Sequence, residues 1–404
     1  MRKIDLTNFH VATSETARDI NRRIVLNLIR RHQPISRADL ARESGLQRST
    51  VSAIIEQLIK EKWVAEGASG YLPRGRRPRF LHLNRERVGI IGINIRPIRT
   101  TIALADLDAR FITQESLPTP SNPAQAIDAL CAHLRRLIEA HPEICYEGVG
   151  VSVPGRIDLA SQRLVFAPNL AWNGVDLKGP LEAATKLPVA LENAANACAL
   201  AELWFGEHTE SVRNLIAITV SEGIGGGIIL NGQLIRGSTG VAGEFGHITL
   251  VEEGLRCRCG NQGCWEMYAS NSAAVRYYVE ATSRNRRRDS TATAKRQLPT
   301  FDDIVRLADQ GDARALSAID RQAHYIGAGA ALLVTGLAPD VIVIVGEVTR
   351  FWNRIGAAIE NVVKRHTFTH ATTRIVPTDA ASQPRLRGTI ALVLQKHFGA
   401  PALM

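Results

Sequence analysis

Between residues 16 and 31 apolar side chains return every three or four positions. Ile20, Ile24, Val25, Leu28 and Ile29 therefore fall on one face of a helix, with arginines opposite. Pro34-Ile35-Ser36 stops that run. Ser36 is a good N-cap, and Asp39 at the third helical position can accept back from the cap amide. A short helix is predicted over 37–43, ending at Ser44-Gly45, where glycine allows a left-handed turn. A third helix is predicted over 47–61 with Val51, Ile54, Ile55, Leu58 and Ile59 inward. Helix, glycine turn and helix, with small Ala38 and Ala41 at the crossing, is a helix-turn-helix pattern. Residues 63–66 and 80–83 then alternate like two strands around the polar tip 70–79, the arrangement of a wing.

From residue 88 the pattern changes to strands. Residues 88–95, 100–107 and 111–117 read as three consecutive strands, followed by a helix over 124–140 and a buried strand over 147–153. A small-residue helix is predicted over 192–206 and a strand over 214–220. A glycine-rich turn, 221–227, leads into a strand over 228–230, and 340–345 is a further buried strand. Such mixing predicts an α/β body in two lobes. Residues 282–300 are polar and basic and read as a surface loop.

Composition narrows the function classes. With 404 residues, 45% of them hydrophobic and 22% charged, the chain is globular and large enough for two or three domains. Its longest nearly uncharged apolar stretch, 326–339, is shorter than the roughly 20 residues a membrane crossing needs and reads as a close-packed helix. The first residues lack the apolar core of a secretion signal, so a cytoplasmic protein with no membrane partner is expected. The net charge of +10 is not spread evenly. Residues 1–87 hold 18 Lys and Arg against 9 Asp and Glu, a net of +9, and the rest of the chain is nearly neutral. That is the footprint of a polyanion-binding module joined to a neutral body. Ser36, Arg37, Gln47, Arg48, Ser49, Thr50 and Ser52 are the candidate DNA contacts of the helices. Arg74, Arg76, Arg77 and Arg79 are those of the wing, suited to a minor groove or the phosphate backbone.

Of six cysteines, Cys131, Cys145 and Cys198 lie apart in apolar surroundings, and Cys257, Cys259 and Cys264 lie within eight residues. In a cytosolic chain such crowding favours metal over disulfide. With His247 they offer one imidazole and three thiolates, a closed tetrahedral set suited to a structural Zn2+ ion. Glu244, His247 and Glu266 beside that loop suit hydrogen bonding to sugar hydroxyls, and plain surface charge is the alternative. The run Gly223-Ile-Gly-Gly-Gly227 is equally open: its amides can cradle phosphate, but tight turns need glycine too.

Residues 218–232, then Gly237 to His247, then Cys257 to Glu266 together resemble the signature of the ROK family of repressors and sugar kinases. The N-terminal winged helix is similar to that of its repressor branch. The resemblance implies an N-terminal winged helix-turn-helix (1–87) and an actin-like, ribonuclease-H-like body. The body's first lobe is 88–205 with 385–404 and its second is 206–384. It also implies zinc at His247, Cys257, Cys259 and Cys264, and sugar contacts at Asn193, Glu244, His247 and Glu266, with Asn169 a weaker candidate.

Where the family's kinases carry Glu-Asn-Asp-Ala-Asn, this chain reads Glu192-Asn193-Ala194-Ala195-Asn196, and alanine cannot act as the base for the attacking hydroxyl. The first phosphate loop, Asp-x-Gly-Gly-Thr in the kinases, is here Asn94-Ile-Arg-Pro-Ile98, and Ser221-Glu222-Gly223 stands for Gly-Thr-Gly in the second. Arg96 and Pro97 block close backbone approach and remove an amide donor. The resemblance and its departures imply a regulator, not an enzyme: a repressor binding duplex operator DNA as a homodimer or tetramer, answering a sugar or sugar phosphate. The alternatives are an active sugar kinase carrying a DNA-binding module and a repressor signalled by a protein partner.

Overall fold

The computed structural model describes residues 13–69, 79–208, 211–286, 298–367 and 372–399. Helices Ser14–His32, Arg37–Ser44 and Arg48–Lys60 are followed by strands Val64–Ser69 and Arg79–Leu83. Thr13 caps the first helix. Its buried face is Val25, Leu26 and Ile29, and Ile24 is 40% exposed. Ile24, expected inward, lies at the edge of the stripe, and Leu26 is buried in its place. Periodicity fixes a stripe, and which edge of the stripe is covered depends on the neighbouring helices. Ser36 caps the second helix by accepting from Asp39 N (3.2 Å), and its hydroxyl donates to the Asp39 carboxylate (2.7 Å). Asp39 accepts chiefly from the cap hydroxyl, and the Ser36 backbone amide adds to holding its carboxylate, as expected. Gly45 closes that helix at φ +71°. Ile35 and Ser36 also form a short strand against Phe80 and Leu81, which makes the wing sheet three-stranded. The wing-tip residues Arg74, Arg76 and Arg77 lie outside the described residues, as does most of the basic 282–300 segment.

The chain divides into two compact units. The first comprises the described residues to Val151, Asp176–Ala190 and those from Thr389. The second comprises Ser152–Val175 and Leu191–Gly388. The divisions fall inside the expected first lobe, and the winged helix groups with the part of it that precedes Ser152. A five-stranded sheet is ordered Val189–Asn193, Cys145–Val153, Val88–Ile95, Arg99–Ala105, Phe111–Pro118, with helices Pro123–Ala140 and Lys178–Thr185.

The second unit holds another five-stranded sheet. Its order is Gln233–Ile235, Ile224–Leu230, Leu215–Val220, Val341–Val345, Arg374–Pro377. Val341–Val345 pairs parallel to both of its neighbours, and the other pairs are antiparallel. Helices Ala194–Phe205, Asn271–Arg286, Phe301–Asp309, Ala313–Leu337 and Trp352–His366 accompany it. The expected apolar helix is real and longer than its apolar stretch. A Cβ on Gly329 would fall 1.9 Å from the buried Trp265 ring, so the glycine lets that ring reach the helix.

Two elements depart from expectation. The glycines 225–227 do not form a turn; the strand begins at Ile224 and contains them. A Cβ on Gly227 would sit 2.4 Å from Ala195 O, and one on Gly226 2.5 Å from the Phe245 ring. Those glycines let a helix and the segment Phe245–His247 lie directly on the strand. Similarly, the helix predicted over 192–206 starts only at Ala194, because Glu192 and Asn193 end the preceding strand.

Candidate functional site

At the nucleic-acid face, Gln47, Arg48 and Ser49 are exposed at the N-terminal end of Arg48–Lys60, and Thr50 and Ser52 are half-buried there. Gln47 occupies the N-cap position without making a cap bond, so its amide is not used up by the helix. Ser36 is different: it is buried and committed to capping. Arg37 and Arg79 both turn to Glu66, at 3.0 and 2.8 Å. The Arg79 hydrogen bond, ahead of that from Arg37, holds the Glu66 carboxyl below its usual range. The sequence-predicted set therefore separates into side chains offered outward and side chains that tie helix to wing.

In the second unit, His247 ends the short 3-10 helix Phe245–His247, and the cysteine loop follows. His247 Nδ1 lies 3.6 Å from Cys257 Sγ, and Cys259 Sγ lies 3.6 Å from Cys264 Sγ. All four ligand atoms lie within 4.8 Å of one another. A tetrahedral zinc ion, about 2.3 Å from sulfur and about 2.0–2.1 Å from nitrogen, puts ligand atoms about 3.5–3.8 Å apart, so the set fits that ion. Burial, then the neighbouring thiols, pushes Cys264 up to about 12. Thiols this crowded need a cation among them to ionise together. Gly263, at φ +74°, is held against Val251 O, where a Cβ would sit 1.7 Å away.

The loop carries two carboxylates beside the imidazole. Glu244 Oε2 lies 3.9 Å from His247 Nε2, the nitrogen turned away from the thiols. Glu266 begins the helix Glu266–Ala269 and accepts from Ile224 N (3.2 Å). Gly223 is glycine for the same reason: a Cβ there would fall 2.2 Å from the Glu266 carboxylate. The glycine-rich segment therefore seats this carboxylate and packs the strand. Asn193 caps Ala194–Phe205 through Ala195 N (2.8 Å), and its Nδ2 donates to Gly155 O (2.7 Å). Gly155, at φ +107°, is pressed against Phe166 O and Ala167. Asn169 is exposed in the turn two residues beyond Ala167, and no described contact joins it to the other candidates.

Sequence reasoning missed Glu192 and Arg236. Glu192 is buried and accepts from Asn193 N and Asn196 Nδ2, each at 2.9 Å, and from Arg236. A glutamate ending a buried strand was a usable signal. Arg236, alone in a loop, offered none.

The sequence pattern described as ROK family matches residues 90–396, and that described as winged helix-turn-helix DNA-binding matches residues 18–65. The chain belongs to the ROK family. Its ROK relatives fall on both sides of a functional divide. The xylose repressor of Bacillus subtilis is 34% identical over 337 residues, covering 83% of this chain and 84% of the relative. A crystal structure of a ROK family transcriptional regulator, homologous to the MLC protein of E. coli, superposes with a TM-score of 0.81. It has 25% identity over 95% of this chain and 98% of its own. The ROK family glucokinase from Streptomyces griseus, in complex with glucose and AMPPNP, superposes with a TM-score of 0.65. It has 31% identity over 76% of this chain and 99% of the kinase. The regulator spans nearly the whole chain, whereas the kinase spans about three-quarters of it. Among the described residues no helix is long and apolar enough to cross a membrane.

Proposed function

We propose that the protein is a sugar-responsive, DNA-binding transcriptional regulator, a repressor, whose ROK body senses sugar without phosphorylating it. The observation that carries this reading is a winged helix-turn-helix joined to a ROK body in which Ala194 is the first residue of the helix capped by Asn193. A methyl group there cannot take a proton from a sugar hydroxyl. Asn193, Glu244, His247 and Glu266 are the sugar contacts, with Asn169 at the edge. Glu244 and Glu266 accept hydrogen bonds from sugar hydroxyls, and His247 offers Nε2 while Nδ1 faces the thiols.

Zinc would be held by His247, Cys257, Cys259 and Cys264. Its chemistry is structural, since four protein ligands leave no position for water. The protein acts in the cytoplasm on a duplex operator, as a homodimer or a tetramer. A single winged helix makes too few base contacts for tight specific binding. Residues 1–87 are the DNA-binding domain, 88–205 with 385–404 the first lobe and 206–384 the second. The resemblance to the xylose repressor makes D-xylose the first sugar to try.

The test uses the purified full chain and a duplex selected from a random pool. Duplex affinity is measured with and without D-xylose, D-glucose, N-acetyl-D-glucosamine and their phosphates, and ADP release is followed with each sugar and ATP. One sugar that shifts duplex affinity by about fivefold or more, with no ADP release above a no-sugar blank, is the expected result. Steady ADP release would instead make the protein a kinase. Duplex binding that no sugar alters would move the signal to a protein partner.

A further inference from the structure

The four side chains of the His247 and cysteine set are not equally accessible. Cys257 and Cys264 are buried, whereas Cys259 is exposed. Cys264 is fixed from both sides. Thr249 pairs with it in an antiparallel bridge, its Sγ faces His247 O at 3.6 Å, and the next amide, Trp265 N, donates to Ile248 O at 2.8 Å. Cys259 sits instead at the tip of the loop, between Cys257 and Asn261, which are joined by the bond from Cys257 N to Asn261 O (2.8 Å). Beside it Gly260, at φ +99°, has open space where a side chain would be. Cys264 therefore has a fixed seat, and Cys259 stands where the loop has room to move.

Thiolates, not thiols, reduce peroxides, and holding zinc requires all three cysteines to be thiolates. An oxidant arriving from solvent meets the Cys259 sulfur first, with Cys264 Sγ 3.6 Å behind it. A disulfide is about 2.05 Å long, so the two sulfurs must close by about 1.5 Å to form one. A tetrahedral zinc ion keeps its thiolates roughly 3.8 Å apart, so the bond and the ion exclude each other. Cys257 is turned elsewhere, its Sγ beside His247 Nδ1 (3.6 Å) and Glu266 Oε1 (3.9 Å).

We propose that Cys259 is an oxidation site for hydroperoxides, and that its disulfide with Cys264 expels zinc from the ROK body. In the first step the Cys259 sulfur gives an electron pair to the peroxide and the O–O bond breaks. Thiolate, hydrogen peroxide and one proton become a sulfenic acid and water. In the second, the Cys264 thiolate attacks that sulfur, hydroxide leaves and takes up a proton, and a second water forms. Two electrons have passed from the sulfurs to the peroxide. Cys257 and His247 remain, too few ligands to close a tetrahedron. His247 and Glu266 both lie against Cys257, so the loss should also unseat two of the proposed sugar contacts. That last consequence rests on the regulator reading above, and the oxidation does not.

The experiment exposes the zinc-loaded full chain to hydrogen peroxide. Zinc release is followed with a chelating dye, and the cysteines are located by mass spectrometry after alkylation. The expected result is one zinc released for each disulfide between Cys259 and Cys264, with Cys257 still alkylated and zinc taken up again after dithiothreitol and fresh metal. Cys259→His keeps a metal ligand that cannot follow this path, so its zinc should leave more slowly by about tenfold or more. Should that variant not load zinc, the position of the disulfide in the unaltered chain decides alone. Zinc retained by the unaltered chain while the same peroxide oxidises free glutathione overturns the proposal, as does a disulfide through Cys257 or an equal rate of loss from zinc-loaded Cys259→His. The oxidised chain is expected to lose its sugar binding. A disulfide that leaves sugar affinity unchanged keeps the oxidation site and removes its link to the sugar contacts. A chain that binds no sugar even before oxidation overturns the sugar reading and leaves the oxidation site standing.

Discussion

Arg236 Nε and Nη2 each lie 2.8 Å from Oε2 of Glu192. The pair joins the strand end that delivers Asn193 to the loop that runs on to Glu244 and His247. Glu192 is almost completely buried, so removing its partner strands a charge. Arg236→Met is expected to cost about 3 kcal/mol, read as a lower urea midpoint, and to abolish sugar binding. Glu192→Gln, which keeps an acceptor for Asn193 N, should cost less. A variant of Arg236 with unchanged sugar affinity would remove the pair from the site's support.

Metal content checks the cysteine loop. The intact chain should hold one zinc per molecule by elemental analysis. Cys259→Ser should lose it and melt at lower temperature, because a structural ion's binding energy is part of the folding energy. Zinc should also be released on acidification, since thiolates and imidazole must give up the metal to take protons. Zinc retained at one per chain in Cys259→Ser would exclude this ligand set.

Arg48 and Arg79 should behave differently. Arg48 is exposed at the start of its helix, and its replacement by Ala should cost about 1–3 kcal/mol in operator binding and relax the preference at one base pair. Arg79 is held by Glu66, so Arg79→Ala should weaken binding less and loosen the wing sheet. A selection experiment repeated with each variant distinguishes them, and an unchanged consensus for Arg48→Ala would refute base reading.

Ser36 should affect stability before it affects DNA. Ser36→Ala removes the cap and should cost about 1 kcal/mol. The Ser36 hydroxyl, ahead of the nearby Arg42 charge, also holds Asp39 below the usual carboxylate range. A carboxyl depressed in the folded state contributes stability that is fully present above its unfolded pKa and is lost as pH falls through the folded one. Wild type should therefore lose its advantage over Asp39→Asn as pH drops below about 4. Equal acid sensitivity of the two proteins in melting experiments would remove Asp39 from the cap.

Much of this was legible in the chain because its signals are local. The three helices, the Gly45 turn, the Ser36 cap and the strands after residue 88 follow from the spacing of apolar residues and from residues with special backbone needs. His247 and the three cysteines lie within eighteen positions of one another, so the loop alone could bring them together. Locality is not enough at Gly225, Gly226 and Gly227, which lie within a strand. A run of glycines looks the same whether it turns the chain or makes room for a neighbour, and here Ala195 and Phe245 occupy the room.

What tertiary structure decided depends on partners far apart in sequence. Arg236 acquires its place only because Glu192, forty-four positions earlier, is buried beside it. Trp63 meets Phe398 across most of the chain. Sequence by itself determined most of the helices and strands of the winged helix-turn-helix, the clustering of His247 with the three cysteines and the alanine at 194, because each resides in a short run of residues. Which charges are paired, which glycines are spacers and where the DNA-binding module is held came from packing, since burial and contact belong to surfaces that only the fold brings together.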